Sequence, residues 1–261
     1  MPLRLFVSIV LLLNLSAGAA FSLDVERLTP PERHLTKTTL KALKLCIDPR
    51  KVSGSMNLMS FEELVAPLSS EQKNFLEEIR QSDPHALGAT AHTFGPPLPD
   101  TLFIKLPDQQ VRRNDVSVPL PRQYLPKDVD EAYQRMMKAM QKEIGKVLYV
   151  ESGYRSPAYQ LYLFLYYLRK HHYSVKETNR FVALPGHSEH GAPERQAIDF
   201  INEEGINGED NPEAFEALPE YKWLSRHAKR YGFFLSYPRN NPWGTSFEPW
   251  HWHYEAKKIS P

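Results

Sequence analysis

Cysteine is almost absent from this sequence: Cys46 is the single one among 261 residues. One cysteine excludes an internal disulfide, so the chain depends on its core and on any bound metal for stability. We interpret Cys46 as a small apolar residue rather than a nucleophile. An excess of charge is absent too, with 32 Lys and Arg against 31 Asp and Glu. The overall charge therefore gives no indication of nucleic acid or an anionic membrane surface as a partner.

Long apolar runs are missing after the first residues. The run over residues 5–15 is shorter than the roughly 20 residues that span a bilayer. It follows Arg4 and precedes small residues, which is typical of a secretory signal peptide. We predict a signal peptide over residues 1–20, with an uncleaved anchor as the alternative. The mature protein is then expected to be periplasmic or otherwise extracytoplasmic, without membrane contact.

The first half of the chain carries little recognisable chemistry. Residues 70–81 are predicted to be helical, because Phe75 and Ile79 fall on one helical face. Residues 95–126 are rich in proline, which disfavours long helices and favours extended segments between turns. We therefore predict that residues 21–126 form an N-terminal extension that ends in this Pro-rich connector.

Short helices and strands are predicted in the second half of the chain. Asp128, with Glu131 three residues later, predicts a capped helix start, and Ser156 before Pro157 predicts another. A further helix is expected to end at Gly232. The predicted strands cover residues 146–151, 197–201, 233–237 and 250–255. This irregular mixture favours an α+β fold over a doubly wound sheet.

Histidine and carboxylate side chains are concentrated late in the chain: His187, His190, Asp199, Glu248, His251 and His253. A catalytic zinc site takes three protein ligands of these types and keeps a fourth position open for water. Zinc lowers the pKa of water from about 16 to roughly 7, so a nearby carboxylate such as Glu248 can accept the proton at neutral pH. The spacing alone is a weak signal, since no His-Glu-x-x-His helix is present. The alternative to a metal site is that these are ordinary polar residues of a Trp-rich terminus. A serine-type mechanism is not indicated, because no Gly-x-Ser-x-Gly motif occurs.

Five short motifs, taken in their order along the chain, favour the zinc site over this alternative. They are Ser-Gly-Tyr-Arg-Ser (residues 152–156), Pro-Gly-His-Ser-Glu-His (185–190), Ala-Ile-Asp-Phe (197–200), Tyr-Gly-Phe (231–233) and Glu-Pro-Trp-His (248–251). As an ordered set they resemble the VanY-like D-alanyl-D-alanine carboxypeptidases, a family of zinc peptidases. The resemblance covers residues 128–255, about half of the chain.

The resemblance implies roles for individual residues. It implies a Zn²⁺ cofactor with three ligands: His190, Asp199 and His251. Glu248 is implied to be the catalytic acid/base. Arg155 is implied to face the substrate and stabilise the oxyanion, which is the positive charge that acyl transfer requires. Ser188 and Gln160 correspond to positions that line the substrate pocket, although each could equally cap a loop or a helix.

The sequence departs from the family pattern in three places. His190 and Asp199 are nine positions apart, two more than is usual in the family, so a turn must absorb the extra residues. His253 stands two positions after His251 on the same face of a predicted strand. It could support the metal site or compete as a ligand, and we favour an ordinary surface or core histidine. The pattern does not account for residues 23–126, which we interpret as a scaffold.

The resemblance also implies a fold and an activity. The expected fold is α+β, a small antiparallel sheet flanked by helices as in zinc D-Ala-D-Ala carboxypeptidase and hedgehog-like catalytic cores, with an N-terminal extension. Residues 127–261 are the expected catalytic domain. The expected activity is zinc-dependent release of D-alanine from peptidoglycan stem peptides, with D,D- or L,D-specificity left open. The alternatives are a peptidoglycan endopeptidase of the same fold and a non-catalytic cell-wall-binding module.

Overall fold

The computed structural model describes residues 23–88, 93–95, 101–243 and 245–256. The predicted signal peptide, residues 1–20, lies outside these ranges. Within them, every helix is too short or too polar to cross a bilayer.

Three helices begin the fold: α1 (Pro30–Ser53), α2 (Phe61–Val65) and α3 (Ser70–Arg80). Helix α3 is capped by reciprocal hydrogen bonds between Ser69 and Gln72, which satisfy free N–H groups at its start. Phe75 and Ile79 are buried on one face of this helix. The prediction of a helix over residues 70–81 is therefore confirmed.

The Pro-rich segment forms two antiparallel strand pairs. Strand β1 (Phe103–Lys105) pairs with β4 (Tyr124–Pro126), and β2 (Gln110–Arg113) pairs with β3 (Val116–Pro119). Both strands of a two-stranded sheet are edges, where proline is tolerated because one side of the backbone needs no partner. The prediction of extended segments is confirmed for residues 101–126 of this region.

A four-stranded antiparallel sheet organises the second half of the chain. Its strands are β5 (Leu148–Ser152), β6 (Ala197–Asn202), β7 (Phe233–Leu235) and β8 (His251–Tyr254), in the spatial order β5-β6-β8-β7. The accompanying helices are α4 (Lys127–Ile144), α5 (Pro157–Leu168), α6 (Val175–Asn179), α7 (Pro212–Glu216) and α8 (Pro219–His227). A small antiparallel sheet flanked by helices is the predicted α+β architecture, which is confirmed.

Two helix ends show how local signals succeed and fail. The prediction of Asp128 as an N-cap is wrong, because strand β4 runs directly into α4 and Pro126 takes the cap position. Asp128 lies in the first turn instead, where its charge interacts favourably with the helix dipole. Helix α8 continues as a 3-10 turn, Ala228–Tyr231, and ends at Gly232 as predicted. Gly232 has a φ of 89°, which favours glycine over other residues.

The buried apolar residues form two cores. The first joins α1, α2 and α3 to α5, with Leu43 and Leu64 packed in the same cluster as Phe164. The second lies between the four-stranded sheet and helices α4 and α8, and includes Met136 and Phe200. Because α5 is buried against the N-terminal helices, residues on both sides of position 126 share the first core.

Candidate metal centre

Strands β6 and β8 bring two of the predicted ligands together. In their antiparallel register Asp199 is paired with His251. Paired residues on neighbouring strands project to the same face of a sheet. Nδ1 of His251 consequently lies 2.8 Å from Oδ1 of Asp199, although 52 positions separate the two residues.

The third predicted ligand, His190, is presented by a short 3-10 turn, Glu189–Gly191. Nδ1 of His190 lies 2.8 Å from the carbonyl oxygen of Gly153. A carbonyl only accepts, so Nδ1 carries the proton and Nε2 keeps its lone pair. Nε2 lies 3.0 Å from Oδ2 of Asp199 but makes no hydrogen bond of acceptable geometry, and His190 is only 2% exposed. A bound cation would satisfy this buried nitrogen.

His190, Asp199 and His251, which we call the cluster, have the geometry of a metal site. One nitrogen each of His190 and His251 and a carboxylate oxygen of Asp199 all lie within 4.8 Å of one another. Zinc binds such atoms at about 2.0–2.2 Å, so atoms this close can share one ion. Two imidazoles and one carboxylate also match the donor set of a catalytic zinc site, which retains a position for water or substrate.

The electrostatics of the cluster favour a cation. Burial and the positive charge of Arg155 lower the pKa of His190 to about 4, which keeps the ring neutral. Burial disfavours the charged form of Asp199, but His190 and His251 hold its pKa well below the usual range. Burial also disfavours a charge on His251, yet Asp199 and Glu189 raise its pKa to about 10. The two carboxylates therefore attract positive charge to this position.

Glu189 is a site residue that the motif analysis did not select. It is 4% exposed, and its Oε2 lies 3.0 Å from Nε2 of His251. Burial disfavours its charge, but His251 lowers the pKa of Glu189 to about 2. A carboxylate on the outer nitrogen of a metal-binding histidine fixes the orientation of the ring. The sequence signal that could have revealed it is a carboxylate directly beside a predicted ligand.

The long connector between His190 and Asp199 contributes to this arrangement. Arg195 lies within it, and its Nη2 donates to Oε1 of Glu189 at 2.8 Å. Nη1 of Arg195 donates to Oε1 of Glu255 at 2.6 Å. The connector therefore leaves the ligand atoms together and contains the arginine that holds Glu189.

Arg155 lies beside the cluster in the loop that follows β5. Its Nε donates to Oγ of Ser152 at 3.0 Å, Nη1 donates to Oε1 of Gln160 at 3.2 Å, and Nη2 donates to Oδ2 of Asp199 at 3.0 Å. These bonds fix the plane of the guanidinium group. Gln160 is 2% exposed, and its Nε2 donates to the carbonyl of Ala183 at 2.7 Å. The structure thus places Gln160 as a support of Arg155 at the wall of the site.

Glu248 lies next to His251, with its Oε2 3.7 Å from Nδ1 of that residue. Its backbone N–H donates to the carbonyl of Tyr237, and its own carbonyl accepts from the N–H of His251, each at 3.1 Å. Burial raises the pKa of Glu248 to about 7, against the charge of His251. A carboxyl group with such a pKa can accept and donate a proton near neutrality. The ring of Tyr237, which was not selected from the sequence, lies 4.8 Å from that of His251.

The cluster opens into a cleft of about 1000 Å³. Arg155, Ser188 and Glu248 line this cleft. Asn57 and Arg122, from the N-terminal half of the chain, line it as well. The N-terminal segment therefore forms part of the wall of the site, which the motifs did not indicate.

His253 lies behind the cluster and is not part of it. Its Nδ1 lies 2.8 Å from Oγ of Ser236, and its Nε2 lies 3.1 Å from Oε1 of Glu255. Oε1 of Glu189, the residue that contacts His251, lies 3.9 Å from Nδ1 of His253. His187 is also absent from the group of metal-ligating side chains found in the described ranges.

Comparison with known proteins relates this site to one family. Residues 122–257 match the family model of VanY, a D-alanyl-D-alanine carboxypeptidase. The chain belongs to the VanY family. The matched part of this VanY-family chain contains the whole cluster together with Arg155 and Glu248.

Two curated relatives extend the comparison. The chain is 34% identical over 146 residues to the putative carboxypeptidase YodJ of Bacillus subtilis (strain 168), covering 54% of this chain and 50% of that protein. It is 30% identical over 139 residues to VanXYC of Enterococcus gallinarum, a bifunctional D-Ala-D-Ala dipeptidase and carboxypeptidase, covering 50% of this chain and 67% of that one. The match thus spans half the length of the Bacillus relative.

Among solved structures, the LD-carboxypeptidase LdcB has a TM-score of 0.47 to this VanY-family chain. Its sequence is 28% identical, over 64% of this chain and 73% of that chain.

Proposed function

We propose that this chain is a zinc-dependent carboxypeptidase that releases D-alanine from peptidoglycan stem peptides outside the cytoplasm. The observation that carries the proposal is the largely buried group of His190, Asp199 and His251, with Arg155 in contact with Asp199 and Glu248 close to His251 at a cleft. Membership of the VanY family and the D-Ala-D-Ala activities named for the Enterococcus relative support the substrate class.

Zinc is the cofactor that this donor set fits. Nε2 of His190, Nδ1 of His251 and one oxygen of Asp199 would hold it. A zinc ion in such a site supplies Lewis acidity and lowers the pKa of water to about 7. Glu189 and Gly153 would orient the two imidazole rings through their outer nitrogens.

Two side chains of the protein, Glu248 and Arg155, are proposed to take part in the reaction. The Glu248 carboxylate accepts a proton from the attacking water and passes it to the nitrogen of the departing D-alanine. The Arg155 guanidinium, held by Ser152 and Gln160, provides positive charge where the scissile carbonyl oxygen becomes negative. Ser188, on the cleft wall, is proposed to contact the substrate.

The test combines metal analysis of the purified chain with mass spectrometry of digested muropeptides. Wild type is expected to contain zinc and to release terminal D-alanine. Glu248→Ala is expected to retain zinc and to lose about 10²–10⁴-fold in kcat. Glu213→Ala is a matched control, because its side chain is 69% exposed, and it should behave like wild type. Wild type without zinc, or equal activity in wild type and Glu248→Ala, would overturn the proposal.

The same digestion separates the related activities. Peptides ending in D-Ala-D-Ala and peptides ending in a single D-alanine distinguish D,D- from L,D-specificity. A cut inside the stem or the cross-bridge would instead assign an endopeptidase. Binding to the cell wall without any product would assign a non-catalytic wall-binding module.

Export is proposed from the N-terminal pattern. Expression of the full chain with a C-terminal tag, followed by cell fractionation and N-terminal sequencing, tests it. The expected product is extracytoplasmic and begins after Ala19 or Ala20. A cytoplasmic product that retains residues 1–20 would contradict this proposal and leave the proposed chemistry untouched.

A further inference from the structure

The loop that carries Arg155 is held by a residue from the N-terminal half of the chain. Asn57, in the 3-10 turn Met56–Leu58, is 6% exposed. Its side-chain Nδ2 donates to the backbone carbonyl of Tyr154 at 2.9 Å, and its backbone carbonyl accepts from the N–H of Ser156 at 2.9 Å. Asn57 therefore binds the backbone on both sides of Arg155.

Gln123 holds the same loop one residue earlier. It is 5% exposed, and its Oε1 accepts from the N–H of Gly153 at 3.1 Å and from Nδ2 of Asn57 at 3.0 Å. The neighbouring carbonyl of Tyr124 accepts from the N–H of Tyr154 at 2.7 Å. A Cβ on Gly153 would lie 2.5 Å from the oxygen of Tyr124, so the two segments approach as closely as glycine permits.

This loop is connected directly to the metal cluster. The carbonyl of Gly153 accepts from Nδ1 of His190, and the N–H of Arg155 donates to the carbonyl of His190 at 2.9 Å. A displacement of the loop would therefore move the guanidinium of Arg155 and the ring of His190 together. Misplacing a catalytic group by about 1 Å can cost on the order of 100-fold in rate.

We propose that Asn57 and Gln123 are positioning residues for the reaction, and that the N-terminal segment belongs to the catalytic unit through them. They act through the backbone of residues 153–156, which they hold at the distance that places Arg155 beside Asp199. Two buried amides are a costly way to fill space, because each polar atom must find a partner. Their partners here are concentrated on the loop of the site. The kinetic part of this inference rests on the proposed function.

The experiment compares Asn57→Ala and Gln123→Ala with Ile79→Ala, all with saturating zinc. Ile79 is fully buried in the first core, so Ile79→Ala tests whether lost stability alone changes catalysis. Asn57→Ala is expected to lower kcat by about 10- to 100-fold with little change in KM, whereas Ile79→Ala leaves kcat near wild type. If Asn57→Ala does not fold, Gln123→Ala provides the same test from the other segment.

Two further measurements separate positioning from a purely structural role. Hydrogen exchange of the amides of residues 153–156 should accelerate in Asn57→Ala and stay unchanged in Ile79→Ala. In an Arg155→Ala background, Asn57→Ala should lower kcat by a smaller factor than in wild type, because the part of its effect that passes through Arg155 is already lost.

Unchanged kcat in Asn57→Ala, a change in KM alone, or the full loss of kcat in the Arg155→Ala background would overturn the inference. If wild type hydrolyses no muropeptide, the proposed function fails and hydrogen exchange still decides the role of Asn57. Slow exchange of the loop in Asn57→Ala would then overturn the inference, and fast exchange would support it.

Discussion

Oε2 of Glu189 lies 3.0 Å from Nε2 of His251, and this contact leaves Nδ1 of His251 facing Asp199. An imidazole has two nitrogens, so binding one to a buried carboxylate determines which one is available to a metal. Glu189 is itself held by two nitrogens of Arg195. The orientation of His251 is therefore set from behind the cluster.

Replacing Glu189 should weaken zinc binding. In Glu189→Gln the charge that orients and polarises His251 is removed, and the zinc affinity is expected to fall about 10-fold, as measured by competition with a chelator. Glu255→Gln is the matched control. Glu255 is 46% exposed and contacts Arg195 and His253 at the outer side of the network, so its replacement should leave the affinity nearly unchanged. Equal affinity in wild type and Glu189→Gln would show that Asp199 alone orients His251.

Arg155 should affect turnover more than metal binding. Arg155→Ala removes positive charge next to the reacting carbonyl, and kcat is expected to fall about 10²–10³-fold, while the zinc content stays at the wild-type level. Arg180 lies at the rim of the same cleft and is 53% exposed. Arg180→Ala should therefore stay within about twofold of wild type. If zinc content and kcat fell in parallel in Arg155→Ala, Arg155 would be assigned to metal binding instead.

Glu151 should make the folded state less stable as the pH rises. Burial raises the pKa of Glu151 to about 7, against a hydrogen bond from Asn207. The unfolded chain releases the Glu151 proton near pH 4.5, whereas the folded state retains it up to about pH 7. The free energy of unfolding therefore falls as the pH rises between these two values. Glu151→Gln removes this titration. Its stability relative to wild type should increase between pH 5 and pH 8, as measured by urea unfolding.

Comparing wild type with Glu151→Gln at each pH cancels the contribution of all other titrating groups. A stability difference that stays constant from pH 5 to pH 8 would contradict a buried, protonated Glu151.

The shared first core predicts that the two halves of the chain unfold together. All four tryptophans lie after residue 220, so their fluorescence reports on the second half, whereas far-ultraviolet circular dichroism also reports on α1 and α3. The two urea transitions are expected to coincide. Phe164→Ala should lower the free energy of unfolding obtained from both transitions by about 3–5 kcal/mol. Tyr166→Ala, at a residue that is 53% exposed, should change it little. Two separate transitions would indicate independent domains.

Several elements were predictable because their signals are local. The Ser156-Pro157 start of α5 and the Gly232 end after α8 depend on backbone conformations that a few adjacent residues determine. The cap at Asp128 was predicted wrongly because the preceding strand, paired through β1, extends to Pro126 and the helix begins at once. A local signal gave way there to a pairing between distant segments.

The sequence by itself determined the family, the α+β class and the identity of the candidate ligands, because short motifs in a fixed order contain the ligand residues. The tertiary structure alone decided that Glu189 faces His251, that Gln160 supports Arg155, and that Asn57 and Gln123 hold the loop of the site. Such contacts join segments up to 97 positions apart. Strand register and the packing of α5 against the N-terminal helices bring them together, and no local pattern encodes either one.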